Sequence, residues 1–207
     1  MSMQELDTKV APPLPRASDG DQIVVLRNIP WRHYDALCVA RQDSAGPRMA
    51  YLDGELEIMS PSRRHEFEKT LIARLVETYA EETGLSLNGF GSETFRKKAK
   101  KAGLEPDECY CVGPAKKLPD FAIEVVYTSG GIDKLEVYRR LTIPEVWFFV
   151  KGRFHVYRLA RSRYQPRERS AALPRLDLER LAAIVAATDN SHQTEAVRAY
   201  RRSLSRR

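Results

Sequence analysis

The 207-residue sequence predicts an α/β domain with a mixed central sheet flanked by helices. Three observations point there. Short apolar runs bounded by proline, glycine and aspartate recur through the middle of the chain, the pattern of strands closed by turns. One long segment after Ser62 instead repeats its apolar residues at helical spacing. Beyond residue 119, a helix-like segment separates strand-like ones and two more helix-like segments follow.

Residues 1–21 are polar, contain Pro12, Pro13 and Pro15, and show no periodicity. They read as a mobile tail ahead of a single domain over 22–207 with a helical C-terminal extension. Ile23 to Leu26 is a short strand, and Trp31 to Arg41 a helix entered after Pro30. Met49 to Leu52 and Glu55 to Met59 form a hairpin, because Asp53-Gly54 suits a two-residue turn needing positive φ. Ser60-Pro61-Ser62 opens a helix that runs to about Thr83 and stops at Gly84. Leu85 to Phe95 reads as a strand with a glycine-rich interruption, followed by the basic run from Arg96 to Lys101. Strands over 107–112 and 120–127 come next, then a turn at Thr128-Ser129-Gly130-Gly131. Asp133 to Leu141 is a short helix with Leu135 and Tyr138 turned inward. Val146 to Val150 is a buried-type strand, Arg153 to Leu159 its hairpin partner, and helices close the chain at about 177–187 and 192–204.

Hydrophobic residues at 43% and charged residues at 30% describe a globular protein with a sizeable core. A formal charge of +6 permits a polyanionic partner without requiring one. Cys38, Cys109 and Cys111 cannot make a fully paired disulfide framework, and no further thiolate or imidazole lies at zinc spacing. No apolar stretch is long enough to span a bilayer, and the start does not resemble a signal peptide. A soluble cytoplasmic protein is expected. The Arg96–Lys101 run and the C-terminal arginines Arg201, Arg202, Arg206 and Arg207 read as solvated charge, and Trp147 and Phe148 as core.

Chemistry concentrates in Glu105-Pro106-Asp107-Glu108 and in Pro119-Asp120-Phe121-Ala122-Ile123-Glu124-Val125-Val126. With residues 113–118 at the tip of a hairpin, Val112 faces Pro119 and Asp107 faces Glu124. Opposed residues have Cβ atoms about 4.5–5.5 Å apart. Carboxylates that close repel one another unless a cation sits between them. Asp120 is a rival, but four strand residues separate it from Glu124 by about 13 Å. That is too far to share one ion at ligand bonds of about 2.0–2.6 Å, so Asp120 is expected to close the loop. Two carboxylates with waters suit magnesium or manganese, which can activate a water and neutralise charge on a phosphodiester. A cationic group is still needed. The same-face position after Glu124 is Val126, and the nearest lysine further on is Lys134. On the long helix, phase puts Glu68 near the centre of the apolar stripe and His65 on its flank, with Glu66 pointing away.

Taken in order, Trp31…Tyr34, Tyr51-Leu52-Asp53-Gly54-Glu55-Leu56-Glu57-Ile58-Met59-Ser60-Pro61-Ser62 with His65-Glu66, and Gly91-Ser92-Glu93-Thr94-Phe95-Arg96 form the first half of a recognisable set. The two Pro-Asp segments, Thr128-Ser129-Gly130-Gly131-Ile132-Asp133-Lys134-Leu135 and Pro144-Glu145-Val146-Trp147 complete it. From about Val24 to Arg202 the chain resembles the Uma-two family of restriction endonucleases, a branch of the PD-(D/E)xK nuclease superfamily. The resemblance implies a restriction-endonuclease-like core and a Mg²⁺-dependent (or Mn²⁺-dependent) endonuclease that hydrolyses DNA. Asp107 matches the motif aspartate and Glu124 the motif glutamate, and by the same analogy the Val125 carbonyl is a further metal ligand. The motif lysine is replaced by Val126, a departure, and Lys134 matches the lysine that substitutes from the following helix. For the acid on the first core helix, the family match favours His65 and Glu66 whereas helical phase favours Glu68; both stay open. DNA is the expected partner, a homodimer through sheet edges the expected assembly, and no membrane is involved. The rival reading is a catalytically inactive nuclease-fold module that binds DNA or protein.

Overall fold

The computed structural model describes residues 20–41, 46–127, 131–189 and 191–205. The expected tail up to residue 19, residues 128–130 of the expected turn, and Arg206 and Arg207 lie outside the described residues. Within them the strands divide between two sheets rather than forming one.

The first sheet grows from the Asp53-Gly54 turn, whose φ values of 47° and 97° are those a tight two-residue hairpin demands. The hairpin joins β2 (Arg48–Leu52) to β3 (Glu55–Ser60), and β1 (Gln22–Leu26) pairs antiparallel with β3. Helix α1 (Trp31–Arg41) lies between β1 and β2 in sequence. Helix α2 (Arg63–Thr83) is capped by Ser62, whose hydroxyl accepts from the His65 amide, and ends at Gly84 in the left-handed region. The segment read as one interrupted strand is two short ones in different sheets, β4 (Leu87–Gly89) and β5 (Phe95–Lys97). A 3₁₀ turn over Lys98–Lys100 leads to β6 (Ala102–Leu104), and the first sheet has the order β1-β3-β2-β6-β5.

The second sheet begins with β7 (Glu108–Val112) and β8 (Phe121–Val126). Helix α3 (Lys134–Leu141) then crosses to β9 (Glu145–Val150), which runs parallel to β8. β10 (Arg153–Ala160) and β11 (Arg163–Arg167) extend the sheet to the order β11-β10-β9-β8-β7-β4. Pro166 can sit in β11 because that strand is at the edge. Helices α4 (Leu178–Ala187) and α5 (Gln193–Leu204) finish the chain.

Strand alternation sorts the core into layers. Ile123, Val125, Trp147 and Phe149 pack under α2, α4 and α5 on one face of the second sheet. Ala122 and Val146 face the other way, onto α3 and onto Ala50, Ala102 and Leu104 of the first sheet. Of α3, Val137, Tyr138 and Leu141 are buried, whereas Leu135 is only half-buried. Glu124 alternates with Ile123 and Val125, so its carboxylate points between the sheets. The outer face of the first sheet receives α1 through Tyr34, which stacks on Tyr51 with ring centres 5.0 Å apart.

Tyr34 lies directly over Gly103 of β6, where a Cβ would collide with its ring. Gly103→Ala is therefore expected to cost about 1–3 kcal/mol of stability through overpacking, read as a lower midpoint in urea. An unchanged midpoint would show that α1 does not dock on β6 in this way.

Candidate active site

β7 and β8 pair with Glu108 opposite Ile123, Cys109 opposite Ala122 and Tyr110 opposite Phe121. One step further along that register, Asp107 stands opposite Glu124, the arrangement read from the hairpin. Asp120 closes the loop: one carboxylate oxygen accepts from the Val112 amide at 2.8 Å and from Lys116 at 2.5 Å.

Asp107 and Glu124 are each 1% exposed. Buried carboxylates of like charge persist only with compensating partners, and each has a set. Asp107 Oδ2 accepts the Val125 amide at 2.6 Å. Its Oδ1 meets Arg48 Nη1 at 2.7 Å and His65 Nε2 at 3.0 Å. Glu124 Oε2 accepts from Lys134 Nζ at 2.8 Å, and its Oε1 accepts the Tyr138 hydroxyl. Lys134 also comes within 3.9 Å of Glu57, which in turn accepts the Ile132 amide at 3.0 Å. Gly131 passes so close to the Glu57 carboxylate that any side chain there would strike it.

His65 is fully buried between two acids, with Nδ1 at 2.9 Å from Asp21 and Nε2 on Asp107. Both ring nitrogens face acceptors, which favours the doubly protonated imidazolium. Burial opposes that charge, but the bonds to Asp107 and then Asp21 prevail and raise its pKa to about 9. Burial pushes Asp107 up, yet the His65 bond and the Arg48 charge bring it down to about 2. Burial lifts the Glu124 carboxyl, with Lys134 opposing and the Asp107 charge adding to the rise. Lys134 is raised despite its burial, chiefly by the Glu124 charge. Glu108, next to Asp107, is pushed up to about 7 by burial.

Of the residues singled out in the sequence, Asp107, Glu124, Lys134 and His65 belong to this network, and Val125 joins it through its amide. Glu66 touches it from outside, pairing with Arg48 at 3.3 Å and Lys69 at 2.6 Å. Glu68 stands apart, facing Arg64 at 3.3 Å. Sequence reading missed Arg48, Glu57 and Asp21, and took Tyr138 only as core. Glu57 carries no visible signal, since Glu55 two residues earlier has the same alternation yet is partly exposed. Asp21, at the end of the segment read as tail, is buried and also binds the Ser62 amide at 2.9 Å.

The donor set fits a hard divalent cation. Four buried carboxyl groups, Asp21, Glu57, Asp107 and Glu124, meet three cationic groups, Arg48, His65 and Lys134, so hard oxygen donors outnumber the cations beside them. Among the described residues no three His, Cys, Asp or Glu side chains form a ready cage. Magnesium does not need one, because it is commonly held by one or two carboxylates with waters and substrate phosphate. The network borders a cleft of about 490 Å³ lined by Glu57, Val125 and Lys134.

Residues 31–188 match the model of the family Uma2, described as "Putative restriction endonuclease". Among solved structures, the chain is similar to one described as "a putative nuclease belonging to DUF820" from Anabaena variabilis. The two are 13% identical, the match covers 79% of this chain and 96% of that one, and the TM-score is 0.47. No curated protein matches.

In metal-free protein, a nuclear magnetic resonance titration of His65 should give a pKa of about 9, and Asp21→Asn should move it down toward 6.5. Because the folded-state pKa is the higher one, protonated His65 stabilises the fold fully below about 6.5, and this is lost as pH rises through about 9. A wild-type titration near 6.5 would refute the two-acid clamp.

Proposed function

The chain belongs to the Uma2 family, and we propose that it is a magnesium- or manganese-dependent endonuclease that hydrolyses DNA phosphodiester bonds in the cleft between its sheets. The observation that carries this reading is the reach of Lys134. Val126 occupies the strand position where a lysine would complete the site, and the ammonium arrives instead from the first turn of α3, 2.8 Å from Glu124. Acid pair and cation thus meet through tertiary packing, not through one strand.

Asp107 and Glu124, with the Val125 carbonyl, would hold the ion. Bound there, it would supply a water of lowered pKa and offset charge on the phosphate. The protein's own groups have separate tasks. Arg48 and His65 keep Asp107 ionised and fixed in direction. Tyr138 fixes one oxygen of Glu124. Lys134, with 20% of its side chain exposed and bordering the cleft, orients the attacking water and stabilises negative charge growing on the phosphate oxygens. Glu57, 3.9 Å from the same ammonium, adds a second negative charge beside it.

A second reading, a nuclease-fold module that binds without cutting, draws on one observation: both Asp107 oxygens already have partners. Calorimetry separates the two. Binding of Mg²⁺ at millimolar concentration that disappears in Asp107→Ala supports the nuclease, and no binding supports the module.

With purified protein and DNA, Asp107→Ala and Glu124→Ala should abolish Mg²⁺-dependent cleavage. Lys134→Ala should slow it by about 10²–10³-fold, the usual effect of removing one charge-stabilising donor. Cleavage that survives unchanged in all three variants would place the chemistry elsewhere.

A further inference from the structure

The active-site cleft does not end at Lys134. It shares Asp133 and Leu135 with a second cavity of about 450 Å³. That cavity shares Arg139 and Ser162 with a third of about 500 Å³. The three adjoin one another in series along α3, from Lys134 at its start to Thr142 just past its end, as one candidate groove. At 1.5 Å per residue, the eight residues of α3 give it a length of about 12 Å.

The charge of this groove changes along its length. Beyond the acidic cleft its walls carry Lys100, Lys101, Arg139, Arg140, Arg161 and Arg163, against the carboxylates of Asp53, Asp133 and Glu136. Two of the acids are already neutralised: Glu136 accepts from Arg139 at 2.5 and 2.7 Å and from Arg140 at 2.8 Å, and Asp53 pairs with Arg140 at 2.5 Å. Lys100, Lys101, Arg161 and Arg163 are exposed and form no ion pair among the described residues. A run of surface lysines is ordinarily solvated charge. Here Lys100 and Lys101 come from the basic run near α3 and meet Arg161 across a concavity whose neighbour, through Arg139 and Ser162, adjoins the cleft that Lys134 borders.

We propose that this groove is the track of the DNA strand, which leaves the active-site cleft along α3 with its phosphates held by Lys100, Lys101, Arg161 and Arg163. The assignment rests on the nuclease reading and adds the path of the substrate. At one phosphate per 3.4 Å of strand, about 12 Å accommodates about three to four phosphates.

The test is fluorescence anisotropy of a short DNA strand across a salt series without divalent metal. It compares wild type with Lys100→Gln/Arg161→Gln and with Arg198→Gln/Arg202→Gln. The second pair has the same charge change but lies on α5, across the opposite face of the second sheet. All four side chains are exposed, and thermal melts verify that the variants fold. The groove pair should weaken binding roughly tenfold at about 0.1 M salt and reduce the slope of log K against log salt by about 1.4–1.8, whereas the α5 pair should change neither. Equal behaviour of the two pairs overturns the groove while leaving the cleavage predictions for Asp107, Glu124 and Lys134 standing. Preferential binding of an RNA strand of the same sequence, lost in the groove pair, overturns the assignment to DNA. No binding of DNA by the wild-type protein in this metal-free assay overturns the groove, whereas the nuclease reading falls only if Mg²⁺-dependent cleavage is absent.

Discussion

Two carboxylates, Asp107 just ahead of β7 and Glu124 on the neighbouring β8, are held almost out of solvent with their charges facing the same interior space. Burial of one such charge is costly, and burial of two opposes their joint ionisation unless cations are fixed beside them. Much of the architecture answers that constraint. β2 supplies Arg48, the start of α2 supplies His65, and the start of α3 supplies Lys134. The two sheets are therefore joined by charge as well as by the apolar layer between them: Arg48 and Glu57 come from the first, Asp107 and Glu124 from the second. Such pairs contrast with surface bridges like Arg27–Glu55, where both partners are largely exposed and the net contribution is small. Removing one partner of a buried pair leaves an unpaired interior charge and typically costs about 3–5 kcal/mol.

The position of Lys134 follows from topology. β8 and β9 are parallel, so a crossover must lift the chain off the end of β8 and return it alongside, and α3 is that crossover. Its first turn consequently lies over the C-terminal half of β8, beside Glu124. A lysine in a first helical turn is disfavoured by the macrodipole. The Asp133 cap, which accepts the Glu136 amide at 3.0 Å, and the ion pair with Glu124 offset that penalty. A cation delivered from the helix leaves Val126 free to remain a half-buried apolar residue lining the cleft.

Local signals were the most legible part of the sequence. Trp31–Arg41, the Asp53-Gly54 turn, the Ser62 and Gly84 caps of α2 and the register of β7 on β8 all depend on neighbours in sequence, where propensity and period act directly. The partition into two sheets was not legible, because it is decided by strands too short to show alternation. β6 is only Ala102, Gly103 and Leu104, yet it bridges β2 and β5, and Gly103 is there to admit the Tyr34 ring. β11 was hidden by Pro166, which argues against a strand except at an edge. In the candidate site, Asp107 opposite Glu124 could be read because register is a counting problem. Arg48, Glu57 and Asp21 could not, since their partners lie 18 to 77 residues away and nothing local distinguishes them from surface charge.

The electrostatic layout also bears on the order of events in the proposed reaction. The cleft walls carry Asp21, Glu57 and Asp133 against Lys134, so they would disfavour a phosphate, whereas the far end of the proposed α3 groove would favour one. A polyanionic strand would be captured first along the groove, where Lys100, Lys101, Arg161 and Arg163 are exposed and form no ion pair among the described residues. Its entry into the cleft then requires additional positive charge at Asp107 and Glu124. In the proposed reaction a divalent cation held there would thereby be a condition for substrate placement, not only for the chemical step. Lys134 stands at the junction of the two regions, bordering the cleft at the start of the helix that lines the groove.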